Sequence, residues 1–230
     1  MLYFMNENIN KFIDQTLLKV DANEKDIITF CSEAELWDFA SVCIYPCWVV
    51  MVKKRFPSLR VSSVVGFPSG ASTKEQKLFE ASRLIDSGID EIDMVMNIGF
   101  FKSKMALEVE EEIASIASLS SKIPLKVIIE TSMLTAEQKV EAALLAERAG
   151  AAFVKTSTGF GGGGASVEDV EMLHKVLKKS TFIKASGGIK NFSTAKAMLE
   201  AGATRLGTSA GVLICQEARH LKNFKSVDSR

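Results

Sequence analysis

Apolar positions along the chain follow two periods that take turns from one end to the other. Short aliphatic runs, several alternating with polar residues, predict strands at Phe12–Leu18, Ser41–Tyr45, Val61–Gly66, Glu91–Asn97, Leu125–Glu130, Ala152–Ser157, Phe182–Ser186 and Arg205–Thr208. Between them, longer stretches with helical spacing predict helices at Asn23–Trp37, Cys47–Phe56, Thr73–Ser87, Lys102–Ser120, Ala136–Ala149, Val167–Lys179, Ser193–Ala201 and Ala210–Lys222. Ser72 with Glu75 and Thr135 with Gln138 have capping-box spacing, and Asn191 is placed to cap the helix that follows it. Ser87-Gly88, Ala149-Gly150 and Ala201-Gly202 close helices with glycine ahead of the next strand. Eight strand–helix units without a linker or a composition break describe a single α/β domain over residues 1–230, a (β/α)8 TIM barrel. A doubly wound open sheet is the alternative, but no Gly-x-Gly-x-x-Gly or P-loop follows the first strand. The polar stretch over 222–230 is expected to be a loosely ordered tail.

Side-chain parity along the strands sorts the polar residues. Successive strand side chains point to opposite faces. Ile92, Met94 and Met96 share one face, opposite Asp93, Val95 and Asn97; Leu125, Val127 and Ile129 oppose Lys126, Ile128 and Glu130. Lys155 shares its face with Phe153 and Ser157, and Lys184 with Phe182 and Ser186. The wholly apolar faces suit the helix layer, so Asp93, Lys126, Lys155 and Lys184 are expected to line the barrel interior.

Composition narrows the function. At 230 residues and 47% hydrophobic residues the chain can bury a substantial core. Lys+Arg and Asp+Glu are both 28, and no basic run breaks the balance, so no nucleic-acid partner is expected. The apolar start, Met1 to Phe4, is too short for a signal peptide, and no later run approaches a membrane span. Cys31, Cys43, Cys47 and Cys215 lack Cys-x-x-Cys spacing and only two histidines exist, so no metal site is expected. Reduced thiols in a cytoplasmic protein are the plain reading.

Two segments, Phe153-Val154-Lys155-Thr156-Ser157-Thr158-Gly159 and Phe182-Ile183-Lys184-Ala185-Ser186-Gly187-Gly188, nearly repeat each other. Each puts a lysine where packing prefers an aliphatic residue. A free lysine, with pKa about 10.4, is only ~0.04% neutral at pH 7 and is a poor nucleophile. A second ammonium about 6 Å away contributes ~2.8 kcal/mol against protonation at an effective dielectric of about 20, roughly two pKa units, with burial supplying the rest. Such a pair suits Schiff-base chemistry on a carbonyl substrate. Spacing alone does not choose which lysine attacks. The plainer alternative has each lysine reach the rim and pair with Glu130 or Asp93.

Three glycine-rich loops could hold an anion: Thr158 to Gly164, Ser186-Gly187-Gly188, and Gly207 to Gly211, with Lys190 adding charge. The last two follow the seventh and eighth strands, where barrels commonly bind phosphate. The run Gly161–Gly164 is weak evidence by itself, since such runs often serve as flexible connectors. Together the loops suggest a small phosphorylated substrate.

Asp14-Gln15-Thr16-Leu17, Val42-Cys43-Ile44-Tyr45-Pro46, Val64 to Gly70, Glu91 to Asn97, Lys126 to Thr131, Lys155 to Phe160, Lys184 to Gly188 and Gly207-Thr208-Ser209 occur in an order that resembles the deoxyribose-phosphate aldolase family along nearly the whole chain. The resemblance implies a metal-independent, cofactor-free barrel aldolase. Such an enzyme reversibly cleaves 2-deoxy-D-ribose 5-phosphate to acetaldehyde and D-glyceraldehyde 3-phosphate. It further implies Lys155 as the imine-forming nucleophile, Lys184 as its charged neighbour, Asp93 as acid/base partner and Lys126 as support behind Asp93. Asp14, Thr16, Cys43 and Thr158 would meet the substrate or its waters, and Gly159, Gly187, Gly188, Gly207 and Ser209 the phosphate. A homo-oligomer, dimer or tetramer, is expected. Two positions depart from the pattern: tyrosine occurs only at 3 and 45, so a tyrosine-assisted proton transfer from the tail is not expected, and Ala210 replaces a second serine. The rival readings are another Schiff-base aldolase and a non-catalytic phosphosugar sensor. No arginine is expected beside the lysines to bind a carboxylate, which disfavours a keto-acid substrate.

Overall fold

The computed structural model describes residues 8–227, with side chains to residue 221. Eight parallel strands close into a barrel in sequence order: β1 (Ile13–Leu17), β2 (Ser41–Ile44), β3 (Val61–Val65), β4 (Glu91–Val95), β5 (Leu125–Ile128), β6 (Phe153–Lys155), β7 (Phe182–Ser186) and β8 (Arg205–Thr208). The ring closes where β8 pairs with β1, Gly207 opposite Asp14. The helices are α1 (Glu24–Trp37), α2 (Val49–Arg55), α3 (Lys74–Asp86), α4 (Ile98–Lys102), α5 (Ala106–Leu119), α6 (Ala136–Arg148), α7 (Val167–Val176), α8 (Phe192–Glu200) and α9 (Gly211–Val227). Among the described residues no helix is long and apolar enough to cross a membrane.

Local signals explain most boundaries. Asn23 with Asp26 and Thr135 with Gln138 form reciprocal capping boxes, and Asn191 accepts a hydrogen bond from the Thr194 N–H. The box ahead of α3 lies one residue later than the sequence suggested. Thr73 and Gln76 bond each other's backbone, because Thr73 rather than Ser72 takes the extended cap conformation. Gly150 and Gly202 end α6 and α8 at φ 93 and 115, a left-handed turn that a side chain resists.

Two predicted helices differ. The stretch from Lys102 to Ser120 is not one helix, since Lys104 turns left-handed at φ 65 and separates α4 from α5. The segment beginning at Cys47 opens as a 3-10 turn over Pro46–Trp48 before α2 starts. Of the tail expected to be loose over 222–230, α9 runs to Val227 and the remainder lies outside the described residues.

The packing divides by parity. Ile92, Met94, Met96, Val127, Ile129, Val154, Ile183 and Ala185 belong to the apolar layer between barrel and helices, all but excluded from solvent. The opposite parity fills the interior with Asp93, Lys126, Lys155 and Lys184, also buried. Burial of so many ionisable groups is costly without paired charge, so the interior has to be read as an electrostatic unit.

Candidate active site

Strand register brings the interior charges together. Asp93 pairs with Lys126 across β4 and β5, and Lys155 with Lys184 across β6 and β7. Both oxygens of Asp93 are saturated. Lys155 and Lys184 each donate to Oδ2, at 2.7 and 2.8 Å, while Lys126 and the Ser62 hydroxyl donate to Oδ1 at 2.8 and 2.9 Å. Lys184 also makes an ion pair with Asp14 Oδ2 at 2.5 Å, and Lys126 with Glu91 at 2.6 Å. The two lysines therefore face one another across a single carboxylate oxygen, on the same side of the sheet.

Their surroundings separate them. Burial lowers the pKa of Lys155 and the positive charge of Lys184 lowers it further, against the opposing pull of Asp93. Burial also acts against the charge on Lys184, but Asp14 and then Asp93 outweigh it and leave its pKa raised. Lys126 follows Lys184: burial is outweighed, first by Asp93, and its pKa rises. Asp93 and Asp14 stay ionised, since burial would raise both but the lysines hold them far below the ordinary carboxylate range. The expectation that the second ammonium would be the larger cause is corrected here. Desolvation comes first for Lys155, and the like charge adds to it.

A cavity of about 270 Å³ opens at the C-terminal ends of the strands. Lys155 lines it; the other buried charges of the cluster do not. Thr16 and Thr158 also line it, together with all six positions expected to meet phosphate: Gly159, Gly187, Gly188, Lys190, Gly207 and Ser209. Asp14 and Lys126 lie below this cavity, fully buried, with the lysines and carboxylates as their partners. Cys43 is buried in a small apolar cluster with Leu18 and Val64 under Tyr45 and Phe67. Desolvation raises its thiol pKa, so it packs as a neutral group.

In the glycine run after β6, Gly161, Gly163 and Gly164 are packed tightly, while Gly162 faces open space. A Cβ on Gly161 would lie 2.7 Å from Glu130 Cδ, and one on Gly164 would lie 2.4 Å from the Gly187 carbonyl oxygen. Glu130, expected as an alternative partner for the lysines, accepts hydrogen bonds from the Thr158 N–H and hydroxyl.

Several residues here had no sequence signal strong enough to be singled out. Lys19 lines the cavity, as do Thr208 and Ser186 of the two expected anion loops, and among the described residues the buried Ser186 hydroxyl has no hydrogen-bond partner. Glu91 and Arg205 sit at the starts of β4 and β8, a position that usually reads as a solvated strand end. Arg205 corrects the expectation that no arginine adjoins the lysines: it is the register neighbour of Lys184, with its guanidinium on Asp14 at 2.6 Å.

A closed parallel barrel with a buried lysine of lowered pKa at a glycine-lined cleft suits chemistry on small carbonyl compounds through an amine. The chain belongs to the DeoC/LacD family of aldolases, whose model matches residues 9–217. It is 49% identical over 218 residues to the deoxyribose-phosphate aldolase of Lactococcus lactis subsp. lactis, covering 94% of this chain and 99% of that one. It is 48% identical to the deoxyribose-phosphate aldolase of Halalkalibacterium halodurans, covering 94% and 98%. Among solved structures, the tetrameric deoxyribose phosphate aldolase of Aeropyrum pernix superposes with a TM-score of 0.87 at 31% identity, covering 94% and 93%.

Proposed function

We propose that the chain cleaves 2-deoxy-D-ribose 5-phosphate reversibly to acetaldehyde and D-glyceraldehyde 3-phosphate, through an imine on Lys155. One observation carries the choice of nucleophile. Lys155 is the amine of the buried cluster that lines the cavity, and it is also the one whose pKa is lowered.

The chemistry follows from that arrangement. Lys155 Nζ adds to the C1 aldehyde of the open-chain sugar, and loss of water gives the imine. The C3 hydroxyl passes its proton through bound water to Asp93, the C2–C3 bond breaks, and its electron pair moves into the protonated imine to form an enamine. D-Glyceraldehyde 3-phosphate departs. Protonation at C2 and hydrolysis then release acetaldehyde and free Lys155.

Lys184, kept protonated by Asp14 and Asp93, is the proton source. Asp93 Oδ2 touches both amines and is the bridge along which a proton moves between them. Lys126 and Asp14 act from behind by holding Asp93 and Lys184. Thr16, Thr158 and the Ser186 hydroxyl meet the sugar hydroxyls, while Cys43 packs in the apolar cluster beside the site and does not line the cavity. Gly159, Gly187, Gly188, Gly207 and Ser209 offer backbone and hydroxyl donors to the phosphate, and Lys190 and Lys19 flank it with positive charge.

The reading includes a cytoplasmic enzyme that assembles as a homodimer or homotetramer, in keeping with the tetrameric relative from Aeropyrum pernix. Light scattering on the purified protein measures the assembly. The activity is tested by supplying 2-deoxy-D-ribose 5-phosphate and coupling triose phosphate release to a dehydrogenase. Turnover without added metal is expected, and absence of turnover rejects this substrate.

A further inference from the structure

The floor of the barrel carries a charge pair that the proposed reaction does not use. Arg205 Nη1 donates to Asp14 Oδ1 at 2.6 Å and lies 3.3 Å from Glu91 Oε2, while Glu91 also holds Lys126 at 2.6 Å. Register places Lys155 beside Lys184, and Lys184 beside Arg205. Three consecutive strands thus project cations into one layer, with Lys126 as a fourth from β5. Three carboxylates face them: Asp14 from β1 and Glu91 and Asp93 from β4.

Four cations cannot all be neutralised by three anions, and an uncompensated charge in a buried barrel is expensive. Arginine does not release its proton. Among the described residues, Lys126 has ion-pair contacts with three carboxylates and Lys184 with two, whereas Lys155 has one, with Asp93. Lys155 is therefore the side chain for which neutrality costs least. We propose that Arg205 and Glu91 are positioning residues that set the charge count of the barrel interior, Arg205 supplying the surplus cation that leaves Lys155 as the unprotonated amine.

The other groups facing this layer do not alter the count. Cys43 on β2 is held neutral by burial. The Ser41 and Ser62 hydroxyls bond Asp14 and Asp93. Among the described residues Glu130, beyond β5, makes no ion pair with the four cations and is bound by Thr158. Arg60, largely exposed, approaches Glu91 from outside at 3.5 Å. The Phe153 ring lies 5.6 Å from the Arg205 guanidinium and completes its surroundings.

The inference rests on Lys155 being the nucleophile, so borohydride reduction with acetaldehyde and peptide mapping of the wild type come first. Modification elsewhere defeats that reading; trapping at Lys155 leaves it standing and isolates the charge argument. The pH dependence of kcat/KM is then compared across Glu91→Gln, Arg205→Met, Arg205→Lys and the Glu91→Gln/Arg205→Met double variant, each checked for folding by circular dichroism. Loss of the Glu91 anion disfavours the charged form of Lys155, so its acid limb should move down by about one pH unit; loss of the Arg205 cation should move it up by about as much. The double variant and Arg205→Lys, which keep the count, should return it close to the wild-type position. Limbs that stay put, or that move the same way in both single variants, overturn the proposal. Either single variant decides by direction alone if the other does not fold.

Discussion

Lys155 and Lys184 are the same side chain made into different reagents by their neighbours. Reaching a pKa near 7 from an ordinary lysine takes about 3.4 units, or roughly 4.6 kcal/mol. Burial is the leading cause of the lowered pKa at Lys155, while Asp14 and Asp93 outweigh burial at Lys184. Replacing Lys184 with Leu removes one cation next to the nucleophile and leaves Asp93 in place. The apparent pKa of Lys155 should rise and the acid limb of kcat/KM should move to higher pH by about one unit or more. A profile at its wild-type position contradicts this account. The lysines were legible in the sequence because strand parity allows only two faces, and one was wholly apolar. Glu91 and Arg205 were not legible, since a charged residue at the first position of a strand ordinarily meets water. Parity puts Glu91 on the face of Asp93, but only barrel closure brings Glu91 and Arg205 onto Lys126 and Asp14.

At the scale of elements, the loop from Thr158 to Gly164 carries the largest difference between sequence pattern and structure. A run of glycines reads as a flexible connector, yet here Gly161 lies against Glu130, Gly163 against Ser132 and Gly164 against the backbone of Gly187. Composition does not distinguish the two, because the need for a missing side chain arises from a partner loop distant in sequence. Gly164→Ala would put a Cβ 2.4 Å from the Gly187 carbonyl oxygen, an overlap that only backbone movement relieves. Expected results are destabilisation of about 1–3 kcal/mol and a KM for the phosphorylated sugar raised on the order of tenfold. Turnover of unphosphorylated 2-deoxyribose should change far less. Equal losses on both sugars would separate this loop from the phosphate. The strand–helix alternation was legible almost throughout, because each element has its own period. The break at Lys104 was missed because helical spacing continues across it.

For the whole molecule, the closed barrel isolates a charged interior from water. Asp14 and Asp93 have folded-state pKa values far below their ordinary ones, so their contribution to stability is complete above the unfolded values near 4. That contribution is lost as pH falls from about 4 through the lower folded values. Urea unfolding should therefore show a lower midpoint at pH 2.5 than at pH 6. Asp14→Asn should be less stable at pH 6 but lose less between the two conditions. A variant as pH-sensitive as the wild type would mean that Asp14 does not carry the linkage. Barrel closure and four of the interior charges were expected from the repeating units and their parity; that Asp14, Glu91 and Arg205 join them needed coordinates, because those partners come from strands distant in sequence.

Every scale depends on one amine being proton-poor while its neighbour remains charged. Reduction with borohydride in the presence of acetaldehyde, followed by peptide mass mapping, tests this directly. An ethyl group on Lys155, with Lys126 and Lys184 unmodified, is the result the account predicts. Modification of Lys184 or Lys126 in its place, or none at all, would contradict it.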